Sequence, residues 1–217
     1  MNGLIGAVQP VLKELHFHKR RHAFNRTVEP DGLIHVISFQ MGAFWSSPYG
    51  RFTINLGVWL PGVAEPGFDA PADRAGRFIN EYNCHLRTRV GELLPQHQDT
   101  WWPLDTPADE LAATITSAIT GYALPWLARF SRWDDPLRQL EQAPADPNWF
   151  APPARLTVME MHLARGNHAA AQQAFKEHLD AYLARHGHPG HLDFLAEIAR
   201  RNSFNIDIPA TAQRVQP

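Results

Sequence analysis

The stretch Arg51-Phe52-Thr53-Ile54-Asn55-Leu56-Gly57-Val58-Trp59-Leu60 alternates apolar and polar residues until Pro61-Gly62 stops it. A period of two over this length predicts a half-buried β-strand. Successive side chains leave a strand on opposite sides, so Phe52, Ile54, Leu56, Val58 and Leu60 share one face and Arg51, Thr53, Asn55 and Trp59 the other. Whatever fold the chain adopts must therefore supply a sheet with a packed face. The second face is polar with one large aromatic, which suits a ligand surface and equally suits solvated sheet.

The neighbouring segments extend this sheet. Leu4, Ala7, Val8, Val11, Leu12 and Leu15 form one apolar stripe of a helix ending near His16, with Pro10 tolerated by a local kink. A strand from about Phe17 to Val28 follows, then the turn Glu29-Pro30-Asp31-Gly32 and a second strand, Leu33 to Gln40, apolar on both faces at its start and hence central. Ser46 to Gly50 makes a turn, and Pro61 to Gly76 a long loop. Cys84 to Val90 fits a strand with His85, Arg87 and Arg89 outward, although a helix competes for it. The adjacent Trp101 and Trp102 cannot both face one way from an extended chain, so one belongs to the core and the other to a rim or groove.

Beyond Thr106 the pattern turns helical. Thr106 is placed to cap a helix with Pro107 at its first position, and Pro125 is expected to kink that helix before Phe130. Asp134-Asp135-Pro136 starts another helix, and helices over 154–165, 168–185 and 191–201 follow a proline-rich linker. The predicted architecture is α+β: an antiparallel sheet of about four strands backed by helices over residues 1–145, then a C-terminal helical hairpin over 146–217 packed on it.

Composition narrows the function classes. A chain of 217 residues buries roughly 70% of its unfolded surface. Its 44% apolar and 11% aromatic residues, with seven Trp, exclude a disordered protein. No apolar run approaches the roughly 18–20 residues of a membrane helix, and Met1 to Val8 lacks the basic start of a signal peptide, so a cytoplasmic protein without membrane contact is expected. The lone Cys84 agrees with that expectation. The run from His16 to His22, with Lys19, Arg20 and Arg21, suits a protected edge strand better than a nucleic-acid patch.

No phosphate loop, nucleophile elbow or paired-cysteine motif is present. Cys84 and His85, as strand neighbours, point to opposite faces and cannot exchange a proton, which leaves Cys84 as a small buried hydrophobe. His186, His188 and His191 invite a metal reading, but loops and helix ends accept histidine freely, and no metal or cofactor is expected. The better prospect is the polar sheet face. If the strands carrying Ser38 and Gln40, Thr53 and Asn55, and Arg87 and Arg89 are neighbours, their side chains form a row of donors with two fixed cations. The candidate binding residues are Gln40, Thr53, Asn55, Trp59, Arg87, Arg89, Trp101 and Trp102. Burial of Arg87 and Arg89 in structural ion pairs would weaken that set.

The order of motifs resembles a known family. Leu15-His16-Phe17 before the basic segment, Phe39-Gln40, Phe52 to Val58, Cys84 to Arg89, and Asp99-Thr100-Trp101-Trp102-Pro103-Leu104 are similar to blocks of the bacterial domain-of-unknown-function family 4304, over roughly Val11 to Phe130. The resemblance implies an antiparallel α+β domain and supplies no catalytic residues. The expected function is non-enzymatic protein binding, in one version immunity- or antitoxin-like. A small-molecule or phosphate-ester enzyme using Arg87, Arg89 and a nearby histidine is the alternative, and nucleic-acid binding through Lys19 to His22 a third.

Overall fold

Six strands form one antiparallel sheet in the computed structural model, which describes residues 2–42, 50–64, 77–143, 153–185 and 189–209. The strands are β1 His18–Arg20, β2 Ala23–Val28, β3 Leu33–Met41, β4 Arg51–Trp59, β5 Leu86–Arg89 and β6 Trp102–Pro103. Their order is β1-β2-β3-β4-β5, with β6 joining β5 along the outer side of β4. The α+β class and antiparallel sheet match the sequence expectation, but the single strand expected over 17–28 is two. Arg21 takes a left-handed φ of 53°, and β1 folds back on β2 with Lys19 opposite Phe24. No Gly or Asn marks that turn, which is why residue type did not announce it.

The helices are α1 Asn2–Glu14, α2 Val90–Leu93, α3 Ala108–Ala118, α4 Leu124–Ala128, α5 Asp134–Glu141, α6 Ala154–Ala164, α7 His168–Ala184 and α8 Pro189–Arg201. A π turn over Ile119–Ala123 joins α3 to α4 just ahead of Pro125. Proline has no N–H and its ring crowds the carbonyl four residues back, so a widened turn there removes the clash the expected kink would have relieved. Thr106 does not cap α3; the cap position is Pro107, with no side-chain bond. The continuous stretch 108–128 is long and apolar enough to cross a membrane by length and composition, which the sequence reading missed. Its Leu111, Ile115, Ala118, Ile119, Ala123 and Leu127 are buried in the core.

The chain divides into two compact units, residues 1–139 with 148–152, and residues 140–147 with 153–217. Most of the turn expected over 46–50 and most of the loop expected over 61–76 lie outside the described residues, as do His186 and His188. In the second unit, Gly166 at φ 71° and the Asn167 side chain, which accepts from the Ala170 N–H at 3.3 Å, turn the chain from α6 into α7. Ala171, Phe175 and Leu179 repeat every fourth residue along α7 and are buried with Met161, Leu192 and Leu195.

In the first unit one sheet face is packed along most of its length, with Met41 exposed at its end. Phe24, Phe39, Phe52 and Trp102 run across it as an aromatic row, with ring centroids 6.3, 6.1 and 5.8 Å apart. His35, on the same face, is 1% exposed. Its Nε2–H donates to the Phe130 carbonyl at 2.8 Å, and its Nδ1 accepts from Arg26 at 3.0 Å. Burial above all, with the Arg26 charge adding, lowers the His35 pKa to about 4, although the Phe130 bond opposes this. The unfolded chain protonates near pH 6.5, so stability from His35 is complete above that pH and is lost as pH falls toward 4. Denaturant titrations at pH 7, 5.5 and 4 should show that fall, on the order of 2–3 kcal/mol. The slope should flatten in His35→Gln, and an unchanged slope refutes this assignment.

Candidate functional site

The opposite sheet face is built by register. Ser38 stands across from Asn55, and Asn55 across from Arg89; one step along, Val36 faces Gly57 and Gly57 faces Arg87. Directly opposed residues share a face, so these side chains and Gln40 form one surface. A segment crossing over the sheet divides that surface in two. At one end Ile79 and Cys84 cover Ile34, Val36 and Trp59 in a buried apolar cluster. Asn25 holds the crossing segment like a paired strand: its Oδ1 accepts from the Ile79 N–H at 2.6 Å and its Nδ2 donates to the Ile79 carbonyl at 3.0 Å. Gly57 makes room, since a Cβ there would lie 2.5 Å from the Cys84 sulfur.

At the other end the face stays open as a cleft of about 500 Å³. Ser38, Phe39 and Gln40 of β3, Asn55 of β4 and Arg87 and Arg89 of β5 line it, and Glu81 and Tyr82 of a single 3₁₀ turn close its side. Asn55 donates to Gln40 Oε1 at 2.8 Å, while its own Oδ1 is buried without a hydrogen-bond partner. Arg87 Nε donates to Glu81 Oε1 at 2.5 Å. Burial pushes the Glu81 carboxyl above its ordinary range, opposed by the Arg87 bond and charge and by a bond from Asn55. Arg89 Nη1 donates to Asp99 Oδ2 at 2.5 Å, the same oxygen that accepts from Trp101 Nε1 at 3.1 Å. The Trp101 ring stacks against two guanidinium groups, its centroid 4.9 Å from Arg51 and 5.3 Å from Arg89. Both cleft arginines are thus held rigid and matched by carboxylates. Tyr82 is different, 64% exposed on the rim.

A family model described as a domain of unknown function, DUF4304, matches residues 8–129, more than half of the chain. The chain belongs to the DUF4304 family. No curated protein and no solved structure matches it. The DUF4304 match spans all six strands and every residue of the cleft, whereas α5 to α8 lie beyond it.

Within the DUF4304 domain the sequence-derived candidates separate. Gln40, Asn55, Arg87 and Arg89 meet in the cleft, and Trp101 stacks beside it. Thr53 is fully buried, its hydroxyl donating to the Thr100 carbonyl at 2.9 Å. Trp59 belongs to the apolar cluster and Trp102 to the aromatic row of the packed face, so neither reaches the cleft. Residues 86–89 are a strand, as the alternation implied, but Arg87 and Arg89 do sit in ion pairs. No histidine is among the described residues lining the cleft. His85, nearest in sequence, is buried where its Nδ1 accepts from the Leu60 N–H and its Nε2–H donates to the Ala64 carbonyl, both at 3.0 Å. Lys19 and Arg20 lie on the exposed strand β1. Sequence reasoning missed Glu81, Tyr82 and Asp99. These residues follow no sheet period; only the path of the chain over the polar face brings them in.

Proposed function

We propose that the DUF4304 domain is a binding module whose cleft seats a polar, hydrogen-bonding segment of a protein partner. The observation that carries this reading is Tyr82, an exposed aromatic on the rim of a cleft floored by fixed arginines. Tyr, Trp and Arg dominate interface energetics because they bury large, rigid surfaces and keep a polar handle. Arg87 and Arg89 already face carboxylates, so a bare phosphate would have to compete with Glu81 and Asp99 for them. A segment with both donors and acceptors needs no such exchange. An immunity- or antitoxin-like role is the narrower form of this reading.

A second reading has its own support. The cleft volume falls in the range of small-molecule sites, and Glu81 has the burial-raised carboxyl of a candidate proton donor. Tyr82→Ala separates the two readings cleanly, because an exposed side chain is removed without opening the core. In affinity capture from native lysate, the wild-type chain should retain a stoichiometric protein that Tyr82→Ala loses. Equal capture by both, or by neither, overturns the protein-binding reading; a thermal-shift screen of metabolites is then the direct test of the second.

A further inference from the structure

The cleft is the deep end of a longer row of side chains. Arg20 of β1 stands opposite Ala23, Ala23 opposite Ser38, Ser38 opposite Asn55, and Asn55 opposite Arg89. Opposed residues share a face, so the row crosses the sheet from β1 to β5 on the cleft side. Neighbouring strands stand about 4.8 Å apart, which puts Arg20 roughly 19 Å from Arg89 across the sheet. The crossing segment covers the adjacent row, Asn25, Val36, Gly57 and Arg87, and so walls this one along one side. Between Ser38 and Arg20 the floor is the short side chain of Ala23, half-buried. We infer that this row seats an extended polypeptide segment with an acidic side chain at the end over Arg20. The inference rests on the protein-binding reading of the cleft and supplies the chemistry of the partner.

Charge sets the direction of the segment. At the β5 end the cations are already matched, Arg87 by Glu81 and Arg89 by Asp99. At the β1 end Arg20 is exposed, its guanidinium 6.0 Å from the Phe78 ring centroid, and no carboxylate among the described residues pairs with it. An arginine laid against an aromatic ring still presents its planar fork, the shape that takes a carboxylate through two hydrogen bonds. Its surroundings strengthen the field. Lys19 and Arg21 flank it in the chain and Arg77 precedes Phe78, all exposed. Over residues 11–28, Lys13, Lys19, Arg20, Arg21 and Arg26 stand against Glu14 alone.

Length and polarity set the class of partner. A span of roughly 19 Å takes about six extended residues at about 3.3 Å each. Between its ends Ser38 offers a hydroxyl, and Gln40, whose Oε1 is taken by Asn55, offers its amide N–H groups. A peptide can place a carboxylate at one end and neutral amides over the rest. A nucleic-acid strand carries a phosphate at every nucleotide. Laid along this row, it would bring negative charge against Glu81 at the far end.

The test selects random phage-displayed peptides of about eight residues, long enough to fill the row, on the full chain. The same library is selected on Arg20→Glu, Lys13→Glu and Tyr82→Ala, each of unchanged circular dichroism. Peptides enriched on the wild type should carry Asp or Glu toward one end, and Arg20→Glu should select Lys or Arg there instead. A labelled consensus peptide, read by fluorescence anisotropy, should bind Arg20→Glu about tenfold or more weakly and recover when its acid is changed to Lys. Lys13→Glu makes the same charge change at an exposed position of α1 and should cost less than about twofold, as solvent and salt screen it. Peptides that are lost on Tyr82→Ala, yet show no acidic bias and bind Arg20→Glu equally, overturn this inference and leave the protein-binding reading standing. Failure to enrich any peptide overturns both. Binding of a short oligothymidylate more tightly than the peptide, and its loss in Arg20→Glu, overturns the inference in favour of a nucleic acid.

Discussion

Gly91→Ala is expected to lower the stability of the sheet domain by about 3 kcal/mol, at the upper end for overpacking a well-filled site. A Cβ at Gly91 would lie 2.3 Å from the Gln98 carbonyl oxygen and 2.5 Å from the Thr100 nitrogen. Both are backbone atoms, so no side-chain rotation relieves the contact. The Gln98 N–H also donates back to the Gly91 carbonyl at 3.3 Å, which ties residues 98–100 directly over α2. That short segment carries Asp99, the partner of Arg89, and the Thr100 carbonyl that receives Thr53. Pushing it away disturbs the Asp99 anchor of Arg89, a cleft residue, along with the core beneath. Thermal unfolding should show a midpoint about 6–12 °C lower. Gly6→Ala is the matched control: a Cβ there meets nothing within 4 Å, and the change within α1 should stabilise by about 0.5–1 kcal/mol. Equal midpoints for the two variants would show that residues 98–100 yield freely and are not fixed against Gly91.

The contrast between Gly91 and the strands shows what local pattern can carry. Alternation over 51–60 located β4 because burying one face of a strand forces a period of two into its residues. The same logic grouped Gln40, Asn55, Arg87 and Arg89, since side chains opposed across a register must share a face. It could not distinguish the end of that face that is open from the end that is covered. The alternation implied a half-buried strand, yet both faces of β4 are buried over most of its length. The cover is Ile79 and Cys84, held by Asn25 from 54 residues away, and no periodicity encodes a reciprocal side-chain-to-backbone bond at that range. Trp59 was therefore placed on a ligand surface when it is core. Glu81 and Tyr82, which close the cleft, and Asp99, which anchors Arg89, come from the same long-range arrangement and carry no local signal.

Arg87→Ala is the second large effect expected, and its origin is electrostatic. Glu81 and Arg87 are 8% and 19% exposed at the side chain and 2.5 Å apart. Removing Arg87 leaves the desolvated Glu81 carboxylate with only the Arg89 charge and a bond from Asn55 to offset its burial, at a cost toward the lower end of the about 3–5 kcal/mol of a broken buried pair. Replacing both by apolar side chains of similar volume removes the pair together with its desolvation. Glu81→Leu with Arg87→Met should therefore recover most of the loss. The pH dependence has a defined sign. Burial already raises the Glu81 carboxyl and Arg87 opposes that rise, so Arg87→Ala lifts it further above its unfolded value. A carboxyl raised in the folded state adds stability below its unfolded pKa, which is lost as pH rises through the folded one. The deficit of Arg87→Ala against wild type should accordingly be larger at pH 8 than at pH 5, measured by urea unfolding at each pH. A deficit that does not change with pH would mean that Glu81 is solvated in the variant and that the pair is not a buried one. The expected result means that loss of binding in Arg87→Ala reports loss of folding, which makes Tyr82 the residue through which the cleft is properly tested.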